Sequence, residues 1–340
     1  MKAVVVHAAG DLRVDELPDP EVGPNDVLVE MEWGGVCGSD VTYVRSGVSG
    51  TAVLREPLVL GHEVAGTIAA LGPDVTGFTV GDRVTVHPAT LVGEFDVVED
   101  LLPRTNLWPQ VRYFGSAAFQ PHEQGGFSRY RIVRPDQVRP LPEGVSTKEG
   151  ALAEPFGVAL HAVKQAGDIT GKTVLVTGAG PIGALAVASA KALGAAHVVA
   201  SDLSETALAI ATAMGADAVV RVGTDDLPED VDVVIEASGN PQSISSVLAV
   251  VRRGGTVIQV GNLPGGEVPV ALGQLVTREI TYRGSYRFVD EINDAIALMD
   301  GTVDVSPLMT HEFDINEAVR AFKIAGDRGT GSSKVMLRLS

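Results

Sequence analysis

Thr173-Val174-Leu175-Val176-Thr177-Gly178-Ala179-Gly180-Pro181-Ile182-Gly183 is the stretch from which the fold is read. A short run of apolar and β-branched residues passes straight into glycines spaced G-x-G-x-x-G. An Ala-rich segment from about Ala184 to Leu193 follows and has the composition of a buried helix. Strand, glycine turn and helix in that order are the context that the dinucleotide fingerprint needs. The first glycine permits the turn, the second lets the backbone approach a pyrophosphate, and the third lets helix and strand pack. The helix N-terminus faces the phosphate charge. Asp202 closes the next apolar run, His197-Val198-Val199-Ala200, about twenty residues further on. A carboxylate there accepts both ribose hydroxyls and repels a 2′-phosphate, and Leu203-Ser204-Glu205 holds no arginine to reward that phosphate. The expected cofactor residues are Gly178, Gly180, Pro181, Ile182, Gly183, Asp202 and Leu203, with NAD preferred over NADP.

Further apolar runs continue the pattern: Ala218-Val219-Val220, Val231 to Ile235, Thr256 to Val260 and Ile280 to Arg283. With the two already named they make six candidate strands separated by helical stretches, which predicts a parallel sheet covered on both faces. Eighteen uncharged residues lie between Lys172 and Lys191, but Gly178, Gly180, Pro181 and Gly183 break them where a spanning helix must be continuous. The tail from Val289 reads as two helices and a final strand, Lys334 to Leu339. That strand has no slot in a doubly wound sheet and is expected to return to the first domain. Before residue 150 the texture differs. Short β-branched runs (Asp26 to Met31, Val64 to Leu71, Arg83 to Val86, Tyr130 to Val133) are punctuated by Gly-Asp, Gly-Pro and Pro-Asp pairs, which predicts an irregular β-barrel or sandwich. Leu91 to Gln110 lacks a period and reads as a loop with a short helix.

The length, 340 residues, suits two domains rather than one. A hydrophobic fraction of 45% supplies apolar material for two cores and excludes a disordered chain. The net charge of −17 excludes nucleic acid or an anionic membrane as a partner held by bulk electrostatics. Cys37 is the sole cysteine, so neither an intramolecular disulfide nor a multi-cysteine cluster can form. Met1 to Val6 runs at once into His7 and Asp11 without a leader pattern, so the protein is expected in the cytoplasm.

Two short clusters in the β-rich half carry metal-ligand chemistry: Cys37-Gly38-Ser39-Asp40 and Gly61-His62-Glu63. A thiolate, an imidazole and a carboxylate can hold zinc and leave one position open. Glu154, in Ala153-Glu154-Pro155, is a further carboxylate that could complete the set. Taken singly, a cysteine is more often an inert thiol and a histidine a hydrogen-bonded one. The combination of Cys-Gly-Ser-Asp, Gly61-His62-Glu63-Val64-Ala65-Gly66, Gly72, Gly81-Asp82-Arg83-Val84 and Ala153-Glu154-Pro155 with the glycine turn resembles the zinc-dependent medium-chain dehydrogenase/reductases along essentially the whole chain. The resemblance implies an α/β protein with a GroES-like β-rich catalytic domain (1–153 and 289–340) and a Rossmann doubly wound parallel sheet (154–288). It implies one catalytic zinc held by Cys37, His62 and either Glu63 or Glu154, with Asp40 orienting His62. Relatives with a structural zinc carry four clustered cysteines in the lobe corresponding to about Pro88–Tyr113. None stands here, so no structural zinc is expected, and Leu91, Phe95, Leu101, Leu102, Leu107 and Trp108 are expected to hold the lobe by packing.

Within that family the chain is similar to the polyol and sugar-acid branch. Tyr43 matches a tyrosine that sorbitol dehydrogenases place near substrate, whereas Thr42 stands where many of them carry histidine. Arg112-Tyr113-Phe114-Gly115-Ser116-Ala117, Pro121-His122, Gly125 to Tyr130 and Gly284 to Phe288 resemble L-idonate 5-dehydrogenases more than sorbitol dehydrogenases. The substrate implied is a small sugar acid or, as the alternative, a neutral polyol of the sorbitol or xylitol type. Zinc would lower the pKa of its secondary hydroxyl, Ser39, Tyr43 and Glu154 would relay the proton, and hydride would pass to NAD. A substrate carboxylate calls for a cation, best an arginine, and Arg287 and Arg112 are the candidates, with His122 as a hydroxyl partner. The resemblance also implies a homotetramer or homodimer. A quinone-reductase-like enzyme of the same fold would lack the ligand set, and a non-catalytic nucleotide-binding protein would keep the glycine turn without it.

Overall fold

The computed structural model describes residues 1–91 and 96–340, so Phe95 lies outside the described residues. The chain forms two compact units, Met1–Glu154 with Met309–Ser340, and Pro155–Leu308.

The first unit is β-rich. Its main sheet has seven strands. Val27–Gly35 pairs antiparallel with Glu63–Leu71, with Tyr130–Val133 and with the C-terminal strand Lys334–Arg338, while Arg83–Val86 extends the sheet beyond Glu63–Leu71. Each expected strand of this half is present, and Val27–Gly35 runs four residues past the expected end at Met31. Alternating side chains of these strands, among them Val29, Met31, Ile68 and Val84, form one core with Phe127 from the loop before Tyr130–Val133 and with Val335 and Leu337 from the returning strand. The segment after Leu91 is the expected loop with short helical turns: among the described residues it holds two single-turn 3-10 helices, Glu99–Leu101 and Thr105–Leu107. Of the residues expected to pack it, Leu101, Leu107 and Trp108 are half-buried, whereas Leu91 and Leu102 are exposed. The Trp108 indole N–H donates to the Leu101 carbonyl at 2.8 Å.

The second unit carries six parallel strands in the order Ala218–Arg221, His197–Asp202, Thr173–Thr177, Val231–Glu236, Val251–Gln259, Thr281–Gly284. That is the doubly wound order, with the chain reversing direction across the sheet beside Thr173–Thr177. Helices Pro181–Ala192 and Glu205–Ala213 occupy the expected places, the latter capped by the Ser204 hydroxyl. No helix among the described residues is long and apolar enough to cross a membrane.

The expected return to the first domain at 289 is corrected: it comes at Met309. Helix Glu291–Met299 belongs to the second unit because its first turns lie on helix Ala153–Lys164. His161 Nδ1 is 3.0 Å from Glu291 Oε1, Lys164 pairs with Asp294, and a Cβ on Gly157 would come within 3.2 Å of the Ile292 nitrogen.

Candidate metal centre and dinucleotide turn

Cys37 follows the end of strand Val27–Gly35 and caps helix Gly38–Ser46 in an extended conformation. Asp40, one turn into that helix and fully buried, accepts from the Cys37 N–H at 3.0 Å through Oδ2. Its Oδ1 accepts from the Gly61 N–H at 3.3 Å and lies 3.8 Å from His62 Nδ1. The carboxylate thus joins the two ligand clusters through their main chains. At 3.8 Å it acts on His62 by charge rather than by the direct hydrogen bond expected from the sequence. Gly61 has φ +96°, and a Cβ there would sit 2.2 Å from the Phe127 ring, so only glycine brings His62 onto the site.

The ligand atoms of Cys37, His62 and Glu63 all lie within 4.8 Å of one another, and His62 and Glu63 are buried. A thiol, an imidazole and a carboxylate converging at that spacing fit a zinc ion by donor type. Glu154, the second residue of helix Ala153–Lys164, is buried and accepts from the Tyr113 hydroxyl at 2.5 Å. The Tyr113 ring stands 5.8 Å from that of His62. Burial opposes protonation of His62, but Cys37, Asp40 and Glu154 outweigh it and hold the imidazole well above its ordinary pKa. For Glu154, burial raises the pKa against the attraction of His62, and repulsion from Glu63 adds to the rise.

Lys334 is the site residue that the sequence reading missed. Its Nζ donates to both Glu63 oxygens at 2.7 Å. Burial would lower its pKa, yet Glu63, Cys37 and Glu154 raise it. Gly35 lies between the paired strands at this point, where a Cβ would stand 2.3 Å from Glu63 Oε2. Nothing in a lysine opening a C-terminal strand marks it as a partner of a residue 271 positions away. Tyr113 lies in a segment that carries the family resemblance, but its bond to Glu154 depends equally on the fold.

The expected relay and substrate residues fare differently. Ser39 is half-buried in the first turn of the cysteine-capped helix. Tyr43 is buried in the core, and its oxygen accepts from the Ala117 N–H at 3.0 Å. Arg112, expected at a substrate carboxylate, makes its bonds within the loop it belongs to. Its guanidinium donates to the Pro121 carbonyl at 2.6 Å and the Gln120 carbonyl at 3.4 Å, and lies over the Phe119 ring. Both ring nitrogens of His122, expected at a substrate hydroxyl, meet protein groups: Nε2 accepts from the Arg55 N–H at 2.9 Å and Nδ1 lies 2.7 Å from the Phe119 carbonyl. Arg287, in the second unit, has φ +50° and lies over the Tyr286 ring.

In the second unit Gly178 turns at φ +82°, and a Cβ on Gly183 would lie 1.7 Å from the Gly178 carbonyl oxygen. A Cβ on Gly180 would meet nothing within 4 Å, so open space stands before the N-terminus of helix Pro181–Ala192. That is the cradle a pyrophosphate needs. Asp202 Oδ2 accepts from the Ala179 N–H at 2.7 Å and Oδ1 from the Ser204 N–H at 2.8 Å, while Leu203 is exposed. Glu236 was not foreseen here. Fully buried at its strand's end, it accepts from the Ser238 and Gly239 N–H groups and from Gln259 Nε2. It thereby fixes the loop that packs on Gly178, and a charge closing an apolar run was the available signal.

Residues 23–143 match the alcohol dehydrogenase GroES-like domain, and residues 181–301 match the zinc-binding dehydrogenase family. The chain is 37% identical to L-idonate 5-dehydrogenase (NAD(P)(+)) of Escherichia coli (strain K12) over 92% of each chain. It is 35% identical to sorbitol dehydrogenase of Bacillus subtilis (strain 168), over 99% of this chain and 97% of that one. The crystal structure of the Escherichia coli L-idonate 5-dehydrogenase covers 99% of this chain and 97% of its own with a TM-score of 0.93, at 35% identity.

Proposed function

The chain belongs to the zinc-binding dehydrogenases that join a GroES-like domain to a dinucleotide-binding domain, and from that premise we propose that it oxidises the C5 hydroxyl of a sugar acid, L-idonate to 5-keto-D-gluconate, with NAD. The convergence of Cys37, His62 and Glu63 beside the Glu154–Tyr113 pair carries the dehydrogenase reading. Similarity to L-idonate 5-dehydrogenase over nearly the whole chain supports the sugar acid.

Cys37 and His62 would hold one zinc, with Glu63 or Glu154 as the carboxylate ligand. When bound, that ion supplies a Lewis acid that lowers the pKa of a substrate hydroxyl. The chain supplies the remainder. Tyr113 keeps Glu154 oriented through its hydroxyl, and Asp40 holds the imidazole and the thiol in register through the N–H groups of Gly61 and Cys37. Ser39 Oγ, half-buried at the start of the same helix, passes the substrate proton outward. Gly178, Gly180 and Gly183 would receive the pyrophosphate, and Asp202, which accepts here from the Ala179 and Ser204 N–H groups, would hold the ribose hydroxyls of NAD, which would supply the hydride acceptor. Arg287 remains a candidate for the substrate's distal end. The protein would act in the cytoplasm as a homodimer or homotetramer. Strand Thr281–Gly284, at the end of its sheet with a partner on one side only among the described residues, would be one joining edge.

The test is the rate of cofactor reduction by the purified, zinc-loaded enzyme on L-idonate, sorbitol, xylitol and D-gluconate. Highest kcat/KM on L-idonate is the expected result. A preference for sorbitol or xylitol would keep the dehydrogenase and replace the sugar acid by a neutral polyol.

A further inference from the structure

The first unit contains a pocket of about 330 Å³ drawn from two segments, Thr51 to Arg55 and Ala117 to Gln120. Small-molecule sites occupy roughly 300–1,000 Å³, so the volume suits a single sugar-sized ligand. Two chain paths connect the pocket to the metal centre. Its wall residue Ala117 donates to the hydroxyl of Tyr43, on the helix that Cys37 caps and about 9 Å along it at 1.5 Å per residue. Ala117 is also within about 14 Å of Tyr113 at full extension, and Tyr113 bonds Glu154.

Arg55 is the cation on this wall. Its main chain is fixed, since its N–H donates to His122 Nε2 at 2.9 Å. Buried His122 also meets the Phe119 carbonyl on the opposite segment, so one ring holds both walls at a set separation. The Arg55 guanidinium, by contrast, is exposed and makes no hydrogen bond or ion pair among the described residues. Its neighbour Glu56 makes no ion pair with it among the described residues and accepts instead from the His122 N–H at 2.5 Å. The second nearby cation is equally committed, with Arg112 donating to the Pro121 and Gln120 carbonyls. In a chain of 43 acidic and 26 basic residues, Arg13, Arg129, Arg131 and Arg134 of the same unit each meet a carboxylate. Arg55 keeps its fork open towards a pocket.

We infer that Arg55 binds the carboxylate of the substrate and thereby sets the preference for a sugar acid over a neutral polyol. The inference rests on the sugar-acid reading above and names the residue that carries it. A guanidinium accepts a carboxylate in bidentate geometry, which a hydroxymethyl group in the same place cannot reproduce.

The experiment compares L-idonate with L-iditol, which carries a hydroxymethyl group in place of the carboxylate and the same stereocentres. The zinc-loaded wild type, Arg55→Met and Arg55→Lys are assayed with NAD, and thermal melts confirm that the exposed substitutions leave folding intact. Loss of one charged hydrogen-bonded contact should lower the ratio of kcat/KM for L-idonate over L-iditol by on the order of tenfold in Arg55→Met, mainly through the KM for L-idonate. Arg55→Lys should recover part of it. A wild type that favours L-idonate together with an unchanged ratio in Arg55→Met overturns the role of Arg55 and leaves the sugar-acid reading standing. An equal loss on both substrates overturns that role in the same way. A wild type without preference for L-idonate over L-iditol removes the sugar-acid reading and the assignment of Arg55 with it.

Discussion

Lys334 and Glu63 face each other almost out of water, with 3% and 1% of their surfaces exposed. Removing one partner of such a pair leaves a buried charge uncompensated, which costs about 3–5 kcal/mol. Lys334→Met is therefore expected to destabilise the metal-free protein by that order in urea unfolding. With zinc bound the penalty should shrink, because the ion then balances the Glu63 charge. Loss of a cation from the metal's surroundings should also tighten zinc binding in a chelator competition. Weaker zinc binding in Lys334→Met would show instead that Lys334 holds Glu63 in position for the metal. Asp202 invites a second substitution. Asp202→Ala should raise the Kd for NAD by on the order of tenfold and leave that for NADP unchanged or lower. Titration of both cofactors by fluorescence checks it, and a parallel loss of both would mean that Asp202 serves only the turn through Ala179 and Ser204. Both carboxylates were visible in the sequence. Their partners were not, because a lysine or a main-chain N–H carries no mark of what the fold sets beside it.

Helix Glu291–Met299 shows the same limit for elements. Its helical character was legible from composition, but its allegiance to the second unit depends on Glu291 meeting His161 and Lys164 meeting Asp294. Burial would raise the Glu291 carboxyl, yet His161 and the Val289 N–H outweigh it and bring the pKa to about 2 from 4.5. A depressed carboxyl stabilises the fold fully above its unfolded pKa of 4.5 and loses that contribution as pH falls towards 2. Glu291→Gln should thus cost about 1 kcal/mol near neutrality once solvent screening is allowed for. The difference from wild type should vanish as unfolding is measured at successively lower pH between 4.5 and 2. A constant difference across that range would place the effect in packing instead. The six parallel strands were legible because both faces of each are covered, which writes them as continuous apolar runs. The loop with short helical turns after Leu91 was legible too, but not that Leu91 and Leu102 stay exposed, because a segment without a period does not say which of its leucines face inward.

At the scale of the whole molecule, the first unit is completed by residues far from it in sequence. Val335, Met336, Leu337 and Leu339 are all buried beside strand Val27–Gly35. Each contributes roughly 1.5–3 kcal/mol by burial, against a total stability of about 5–15 kcal/mol for a domain. Truncation after Ser333 should therefore unfold the first unit and abolish zinc binding, while the second unit, whose sheet and core lie within Pro155–Leu308, retains NAD binding. Limited proteolysis with metal analysis and cofactor titration would check both halves, and retained zinc would contradict the role given to the last strand.

The sequence by itself determined the doubly wound sheet and the glycine turn with Asp202 closing the next strand, because both rest on local spacing: the period of burial and the φ a turn demands. It also offered Cys37, His62, Glu63 and Glu154 as ligand candidates, through short motifs and a family resemblance, without choosing between the two glutamates. The tertiary structure alone decided that Lys334 pairs with Glu63, that Tyr113 bonds Glu154, that Arg112 and His122 bond to the loop Phe119–Pro121, and that the Arg55 side chain at the pocket makes no ion pair among the described residues. Those outcomes depend on which donors and acceptors long-range packing brings within hydrogen-bond reach, and that distance is set by the folded chain rather than by separation along it.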